Sequence, residues 1–213
     1  EHVKSIIMYG DKQFELVNGG ITGLLIDAKN KMSIYDNLTE IDYNCVEYRL
    51  IEKKLKEDLC NFKPLVVGIS VTYIFQIKYA VMIAKIIKEK YTNSVVILGG
   101  ATITQNIDEF INKNIFNNTI SGFVVGDGEK SLEVLLESLR EKKNFLKIPN
   151  FIYNENGKFT KSECFYKAST FELETTPIFC KSPFSYLPLI ISRGCPWNRC
   201  SFCSTRSRFG KYV

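Results

Sequence analysis

Histidine and long apolar segments are scarce in this chain of 213 residues, and each shortage narrows what the protein can be. The one histidine, His2, stands at the amino terminus, so no other position can offer an imidazole ligand. No apolar run reaches the 18 residues typical of a membrane-spanning helix, so we expect no membrane partner. No secretory signal opens the sequence, and no Walker phosphate loop is present.

Cysteine, in contrast, is plentiful. The odd number, the lack of a secretory signal and the tight spacing of the last three argue against a disulfide framework. We therefore expect a cytoplasmic protein, in which the four scattered cysteines are small buried apolar residues. The seven cysteines are Cys45, Cys60, Cys164, Cys180, Cys195, Cys200 and Cys203.

Apolar runs of strand length alternate with amphipathic segments in the first two thirds of the chain. The runs lie at 65–71, 94–100 and 120–126, with a shorter one at 32–36. The amphipathic segments lie at 47–59, 76–91 and 130–140, the last with a stripe of Leu132, Leu135, Leu136 and Leu139. Runs that are apolar at nearly every position are typical of parallel strands buried on both faces. The order predicts an α/β domain over residues 1–145, with a doubly wound parallel sheet of about five strands.

A different pattern follows residue 145. Residues 146–186 read as a linker, in which alternating apolar residues turn at Asn156-Gly157 and predict a β-hairpin. The apolar segment 187–192 predicts a buried strand that leads directly into a cysteine loop. We therefore expect a second domain to begin within residues 187–213.

Small and polar residues follow the predicted strands of the first domain, where ligands bind in open parallel sheets. Small side chains at strand ends let a large ligand approach the backbone closely. The candidate cofactor-binding residues are Ser70, Thr72, Gly99, Gly100, Gly126, Asp127 and Gly128.

This set resembles the cobalamin (B12)-binding domain, a flavodoxin-like fold. That family often carries Ser-x-Leu at one strand end and Gly-Gly at the next. Here Ser70 and Thr72 are followed, after 26 residues, by Gly99 and Gly100. The resemblance implies that these residues make room for the nucleotide tail of cobalamin. The family's Asp-x-His-x-x-Gly motif, whose histidine ligates cobalt, is absent, so we expect any bound cobalamin to lack a histidine ligand from this chain.

Three cysteines lie within nine residues of the stretch "RGCPWNRCSFC". Thiolates are soft ligands that suit zinc, copper(I) and iron–sulfur clusters. A structural zinc site usually needs four ligands, whereas three cysteines can hold a 4Fe–4S cluster and leave one iron open. The candidate metal ligands are Cys195, Cys200 and Cys203.

The stretch resembles the radical S-adenosylmethionine superfamily, and especially its members with an N-terminal cobalamin-binding domain. The superfamily signature is Cys-x3-Cys-x2-Cys with an aromatic residue before the last cysteine. Phe202 takes the aromatic position, although the first spacing here is four residues. The resemblance implies a 4Fe–4S cluster that cleaves S-adenosylmethionine to a 5′-deoxyadenosyl radical, with Phe202 near the adenine. Members with cobalamin often transfer methyl groups.

We therefore expect the N-terminal part of such an enzyme, inactive by itself because most of the barrel would follow Val213. Its partners would be a reductant for the cluster and a substrate that is a peptide, a lipid, a tetrapyrrole or a small metabolite. Residues 158–213 carry nine Lys or Arg against three Glu, and this basic excess would offset an anionic cofactor or cluster. We do not expect nucleic acid as a partner.

Two alternatives stay open. One is a methylthiotransferase-like enzyme, which would need three cysteines in the first domain, where only Cys45 and Cys60 are present. The other is an α/β binding or sensing module with a zinc-binding cysteine tail. Metal analysis separates them, since iron with sulfide supports the cluster and zinc supports the module.

Overall fold

The computed structural model describes residues 42–61, 63–116, 119–168, 192–201 and 203, together with the backbone of 16–17 and 20–21. Its strands are β1 (Leu16–Val17), β2 (Gly20–Ile21), β3 (Val66–Ser70), β4 (Val95–Gly99), β5 (Gly122–Val124), β6 (Phe151–Glu155) and β7 (Lys158–Lys161). Its α-helices are α1 (Val46–Asp58), α2 (Ile77–Lys90), α3 (Ala101–Asn112) and α4 (Glu129–Glu141). Two short 3-10 helices span Ile74–Gln76 and Phe145–Lys147.

A five-stranded sheet in the order β3-β4-β5-β6-β7 forms the centre of the fold. Strands β3, β4 and β5 are parallel, and β6 runs antiparallel to both of its neighbours. This confirms a mixed α/β fold built around parallel strands. The strands of this sheet follow chain order, so the reversal that defines double winding is not seen among the described residues. The strand predicted at 32–36 lies outside them.

The predicted hairpin forms, and it extends the sheet. Asn156 and Gly157 both have positive φ angles, 52° and 88°, as a tight two-residue turn requires. Strand β6 pairs with β5 in the register Phe123 opposite Ile152. The hairpin that the sequence places in a linker is therefore part of the same sheet.

Helices cover both faces of the sheet. Along β4, Val96 and Leu98 join a core with helices α1, α2 and α3, while Ile97 joins a second core on the opposite face with α4. Alternate residues thus point to opposite faces, as the geometry of a strand dictates. Both cores need apolar side chains, which explains why the strands read as continuous apolar runs.

Helix α2 agrees with the sequence prediction, whereas helix α4 agrees with it only in part. The apolar positions of α2 are buried as predicted: Ile77, Ala80, Ala84 and Ile87. In α4 the predicted leucine stripe is wrong in half of its members, because Leu132 and Leu136 are 43% and 44% exposed. Its buried residues are Ser131, Leu135 and Ser138.

Helix α3 is absent from the prediction. Ile103, Ile107 and Phe110 are buried at helical spacing, but Asn106 breaks the regular backbone between them with φ −118° and ψ 19°. The Asn106 side chain donates a hydrogen bond to the Thr102 carbonyl at 2.9 Å. In the parts of the chain that the structure describes, no helix has the length and apolarity to cross a bilayer.

Candidate functional site

The carboxyl ends of the parallel strands meet at one edge of the sheet and bring the predicted cofactor-binding residues together. Ser70 pairs with Gly99 at the ends of β3 and β4. The Thr104 hydroxyl donates to the Gly100 carbonyl at 3.0 Å and accepts from the Gly126 N–H at 3.0 Å. One side chain thus bridges the loops that follow β4 and β5.

The two glycines at the carboxyl end of β4, Gly99 and Gly100, differ in whether the fold requires a glycine at that position. Gly100 has a φ of +97°, and a Cβ there would lie 2.7 Å from the Val71 carbonyl oxygen. A Cβ at Gly99 would lie 3.5 Å from its nearest neighbour, the Val124 carbonyl oxygen, which is ordinary contact. The fold itself therefore requires a glycine at position 100 but not at position 99.

Thr72 is exposed at this edge, but its backbone is already bonded. Its N–H donates to Gln76 Oε1 at 2.8 Å, and its carbonyl accepts from the Thr102 hydroxyl at 2.8 Å. Next to it, the exposed rings of Tyr73 and Phe75 stack in parallel with centroids 5.5 Å apart. Sequence reasoning missed this aromatic pair, which gives the strand ends an apolar surface.

The Asp127 carboxylate forms hydrogen bonds with other residues of the chain. Its Oδ2 accepts the Ala168 N–H at 2.9 Å, and its Oδ1 accepts from the Arg193 guanidinium at 2.9 Å. Its backbone carbonyl accepts from the Asn150 side chain at 3.0 Å. Both carboxylate oxygens therefore contact later parts of the chain, one before and one within the cysteine loop.

Asn150 fixes the segment that leaves the sheet. Its side-chain NH₂ also donates to the Tyr166 carbonyl at 2.7 Å, and its Oδ1 accepts the Tyr166 N–H at 3.0 Å. The residue is buried with a φ of 55°, a conformation that Asn tolerates better than most residues. A fully bonded buried amide of this kind specifies one local arrangement.

Arg193 links the cysteine loop to the loop after β5. Besides Asp127, its guanidinium donates to Glu129 Oε1 at the start of α4. Burial raises the pKa of the Glu129 carboxyl, but the hydrogen bonds from Arg193 and from the backbone outweigh this effect and lower the pKa below its ordinary 4.5. Glu129 is thus held as a carboxylate beside the guanidinium.

The cysteine loop is formed by turns. Gly194 and Asn198 have positive φ angles of 89° and 45°, and the Cys203 N–H donates to the Cys200 carbonyl at 3.4 Å. Asn198 lies between Cys195 and Cys200. None of the six described cysteines forms a disulfide.

The thiols of Cys195, Cys200 and Cys203 are suitable ligands for a metal or an iron–sulfur cluster, but they are not gathered into one ligand set. Cys195 and Cys200 are half-buried and Cys203 is exposed. In the described residues, no group of three His, Cys, Asp or Glu side chains is placed to hold a metal ion. The Oδ1 atom of Asn198 is buried in this loop without a hydrogen-bond partner among the described residues. Thiolates on one turn-rich loop fit a cluster chemically, but they must converge to hold it.

Several predictions from sequence extend beyond the described residues, and several contacts were missed. Phe202, the strand segment 187–191 and Cys180 lie outside the described residues. Arg193, Glu129 and Asn150 were not predicted as site residues. Charged residues directly before the cysteines and directly after Gly128 were the available signal, but their pairing spans 64 positions and is not visible in one sequence.

The comparisons with known proteins give one relative. The chain is 27% identical over 200 residues to an uncharacterized methyltransferase of Pyrococcus horikoshii. The alignment covers 88% of this chain and 40% of the relative, so the chain spans less than half the length of the protein it matches. No protein family model matches the chain. No solved structure matches it either.

Proposed function

We propose that this chain is part of a cytoplasmic radical S-adenosylmethionine methyltransferase, to which it contributes a cobalamin-binding edge and the cluster-binding cysteines. The observation that carries the proposal is the contact between Arg193 and Asp127 at 2.9 Å. It holds the cysteine loop at the same sheet edge as the candidate cofactor residues. The similarity to a protein named as a methyltransferase supports the reaction class. The activity is proposed for a whole protein that includes these residues.

Each part of the site would have a separate task. Cys195, Cys200 and Cys203 would hold three irons of a 4Fe–4S cluster, and Phe202 would lie near the adenine of S-adenosylmethionine. Ser70, Thr72 and Gly99 would face the cobalamin tail at the strand ends. When bound, the cluster would supply an electron to S-adenosylmethionine and the cobalamin would carry the methyl group. Keeping the two regions at one edge would shorten the path between these groups.

Anaerobic reconstitution with iron and sulfide tests the cluster. We expect about four irons per chain, and we expect Ala at Cys195, Cys200 or Cys203 to remove the visible absorption, because each thiolate holds one iron. Cys60→Ala is the matched control, since Cys60 is exposed and lies far from the cysteine loop in the sequence. A full cluster in Cys200→Ala, or tight zinc binding without iron, contradicts the proposal, and the zinc result favours the zinc-binding module.

Titration with cobalamin tests the other half. We expect retention on gel filtration and a visible spectrum that is unchanged in His2→Ala. Gly99→Leu should abolish retention, because it adds a bulky side chain at the carboxyl end of β4, next to Val124, where we place the cobalamin tail. Gly68→Leu is the matched control, since it adds the same side chain at an exposed position within β3, where a Cβ lies 3.9 Å from Ile97. Equal retention by both variants would contradict this location, and no retention by the unaltered chain would contradict cobalamin binding.

A further inference from the structure

The loop after β5 gathers contacts from two later segments of the chain. Asp127 receives a backbone N–H from Ala168 through one carboxylate oxygen and the Arg193 guanidinium through the other. Glu129, two residues later, receives a second nitrogen of the same guanidinium. These contacts connect residues 66 and 64 positions apart.

We infer that Asp127, Glu129 and Arg193 form a latch that positions the cysteine loop, residues 192–203, over the carboxyl edge of the sheet. Asp127 thereby takes a positioning role instead of the cofactor contact predicted from sequence. The inference rests on the proposed function only for what the loop binds, since the latch itself needs no metal or cofactor.

Within the latch, the pair Arg193–Asp127 differs in burial from all other ion pairs of the described residues. The Arg193 and Asp127 side chains are 27% and 18% exposed, whereas every other pair has at least one partner that is 48% exposed or more. Most of those pairs join residues three or four positions apart on one helix. Exposed pairs contribute little to stability, but a half-buried guanidinium with two carboxylates is restricted in geometry.

The geometry also explains why an arginine is needed. A guanidinium presents several N–H donors in a planar fork, so it can reach two carboxylates at once. A lysine ammonium keeps the charge but lacks the fork. Arg193→Lys should therefore keep only part of the loop docking that Arg193→Gln loses. If charge attraction alone held the loop, Arg193→Lys would keep all of it.

The chain contains a built-in reporter for this latch. Trp197 is the only tryptophan, lies four positions after Arg193 and is 64% exposed. Its time-resolved fluorescence anisotropy therefore reports the motion of the cysteine loop alone. The measurement uses the metal-free chain, so its failure would leave the cluster proposal untouched, and failed cluster assembly would leave the latch untouched.

We expect Arg193→Gln to lower the ratio of docked to free loop about fivefold, which is measured as faster local motion of Trp197. Glu129→Ala should lower this ratio by a smaller factor, because Asp127 stays bonded to Arg193. The double variant should be no more mobile than Arg193→Gln, because Arg193→Gln already removes the guanidinium that Glu129 contacts. Glu133→Ala is the matched control, since Glu133 lies on the same helix and pairs only locally with Lys130 at 2.8 Å. It should match the unaltered chain.

Salt provides a second route to the same answer. In 1 M NaCl the unaltered chain should approach the mobility of Arg193→Gln, because the Glu129 end of the latch is 54% exposed and open to screening. Additive effects in the double variant, or Arg193→Gln identical to Glu133→Ala, would overturn the latch. If Arg193→Gln does not fold by circular dichroism, an unaltered chain whose Trp197 mobility is insensitive to salt would overturn it equally.

Discussion

The sheet and the cysteine loop are held by different kinds of interaction. In the core against the sheet, Phe110, Phe116 and Phe123 are fully buried, and Phe116 contacts the other two rings edge to face at 5.6 and 5.7 Å. In the loop, none of the described residues from 192 to 203 is buried, and the described side-chain hydrogen bonds that tie it to the sheet edge come from Arg193. The difference implies that the loop can be released without unfolding the sheet.

Phe123→Ala should have the largest effect, because it removes a fully buried ring of β5 that contacts Phe116. Phe123 also packs against Phe159 of β7 at 5.0 Å. We expect a loss of about 3–5 kcal/mol in the free energy of unfolding, measured by urea denaturation. Phe165→Ala, at a side chain that is 85% exposed, should stay within about 0.5 kcal/mol of the unaltered chain. Similar losses for both would contradict the assignment of the core.

Gly100→Ala should have the next largest effect and still act on the sheet. The new Cβ would meet the Val71 backbone in a conformation that side chains rarely adopt. We expect a loss of about 1–3 kcal/mol in the free energy of unfolding. Gly99→Ala should change it by less than about 1 kcal/mol, because its Cβ has room. If the two variants were equally stable, the structural reason for Gly100 would be wrong.

Several parts of the sheet could be predicted from the sequence. Strands β4 and β5 were predictable because burial on both faces demands apolar residues at consecutive positions. Strand β3 lies at the end of the described sheet and is apolar in sequence although none of its residues is fully buried. The hairpin was predictable because Asn156-Gly157 suits a turn with two positive φ angles. The edge position of Ser70 and Gly99 followed from parallel strands.

The remainder depends on contacts between distant residues. Gly99 and Gly100 look alike in sequence. They differ in the structure, where a Cβ at Gly100 would meet the Val71 backbone. Asp127 looks like a ligand-binding acid until its partner Arg193, 66 positions away, is placed beside it. Helix α3 was missed because the helical spacing of its apolar residues is interrupted by polar positions and by the irregular Asn106.

Asn198 tests the loop without touching the sheet. Its left-handed backbone costs a β-branched residue about 1–2 kcal/mol and costs glycine nothing. Asn198→Val should therefore alter the mobility of Trp197 while the urea midpoint of the sheet stays unchanged. Asn198→Gly is the control and should leave the loop docked, because glycine accepts the same conformation. A shift of the urea midpoint in Asn198→Val would show that the loop and the sheet are not separable.

Acid should release the cysteine loop, and of all the changes considered it should have the smallest effect on the free energy of unfolding of the sheet. The pKa of Glu129 lies below 4.5 because hydrogen bonds, from Arg193 first and then from the backbone, outweigh the opposing effect of burial. A lowered folded-state pKa means that the stabilisation is complete above the ordinary value and is lost as the pH falls through the folded-state pKa. Trp197 should therefore become mobile only below pH 4.5, with a cost to the free energy of unfolding of less than about 1 kcal/mol, since Glu129 is half exposed.

The Asp127 carboxylate faces the same guanidinium, so the pH experiment needs a variant that separates the two acids. Arg193 stays charged throughout the acid range, because a guanidinium loses its proton only in strong alkali. In the folded chain its hydrogen bond to Glu129 raises its pKa further. Glu129→Ala removes one carboxylate and leaves Asp127 bonded to Arg193 at 2.9 Å. The part of the acid transition that disappears in this variant belongs to Glu129. An unchanged transition would mean that Glu129 does not hold the loop, whereas a transition that follows sheet unfolding by circular dichroism would remove the distinction between the two regions.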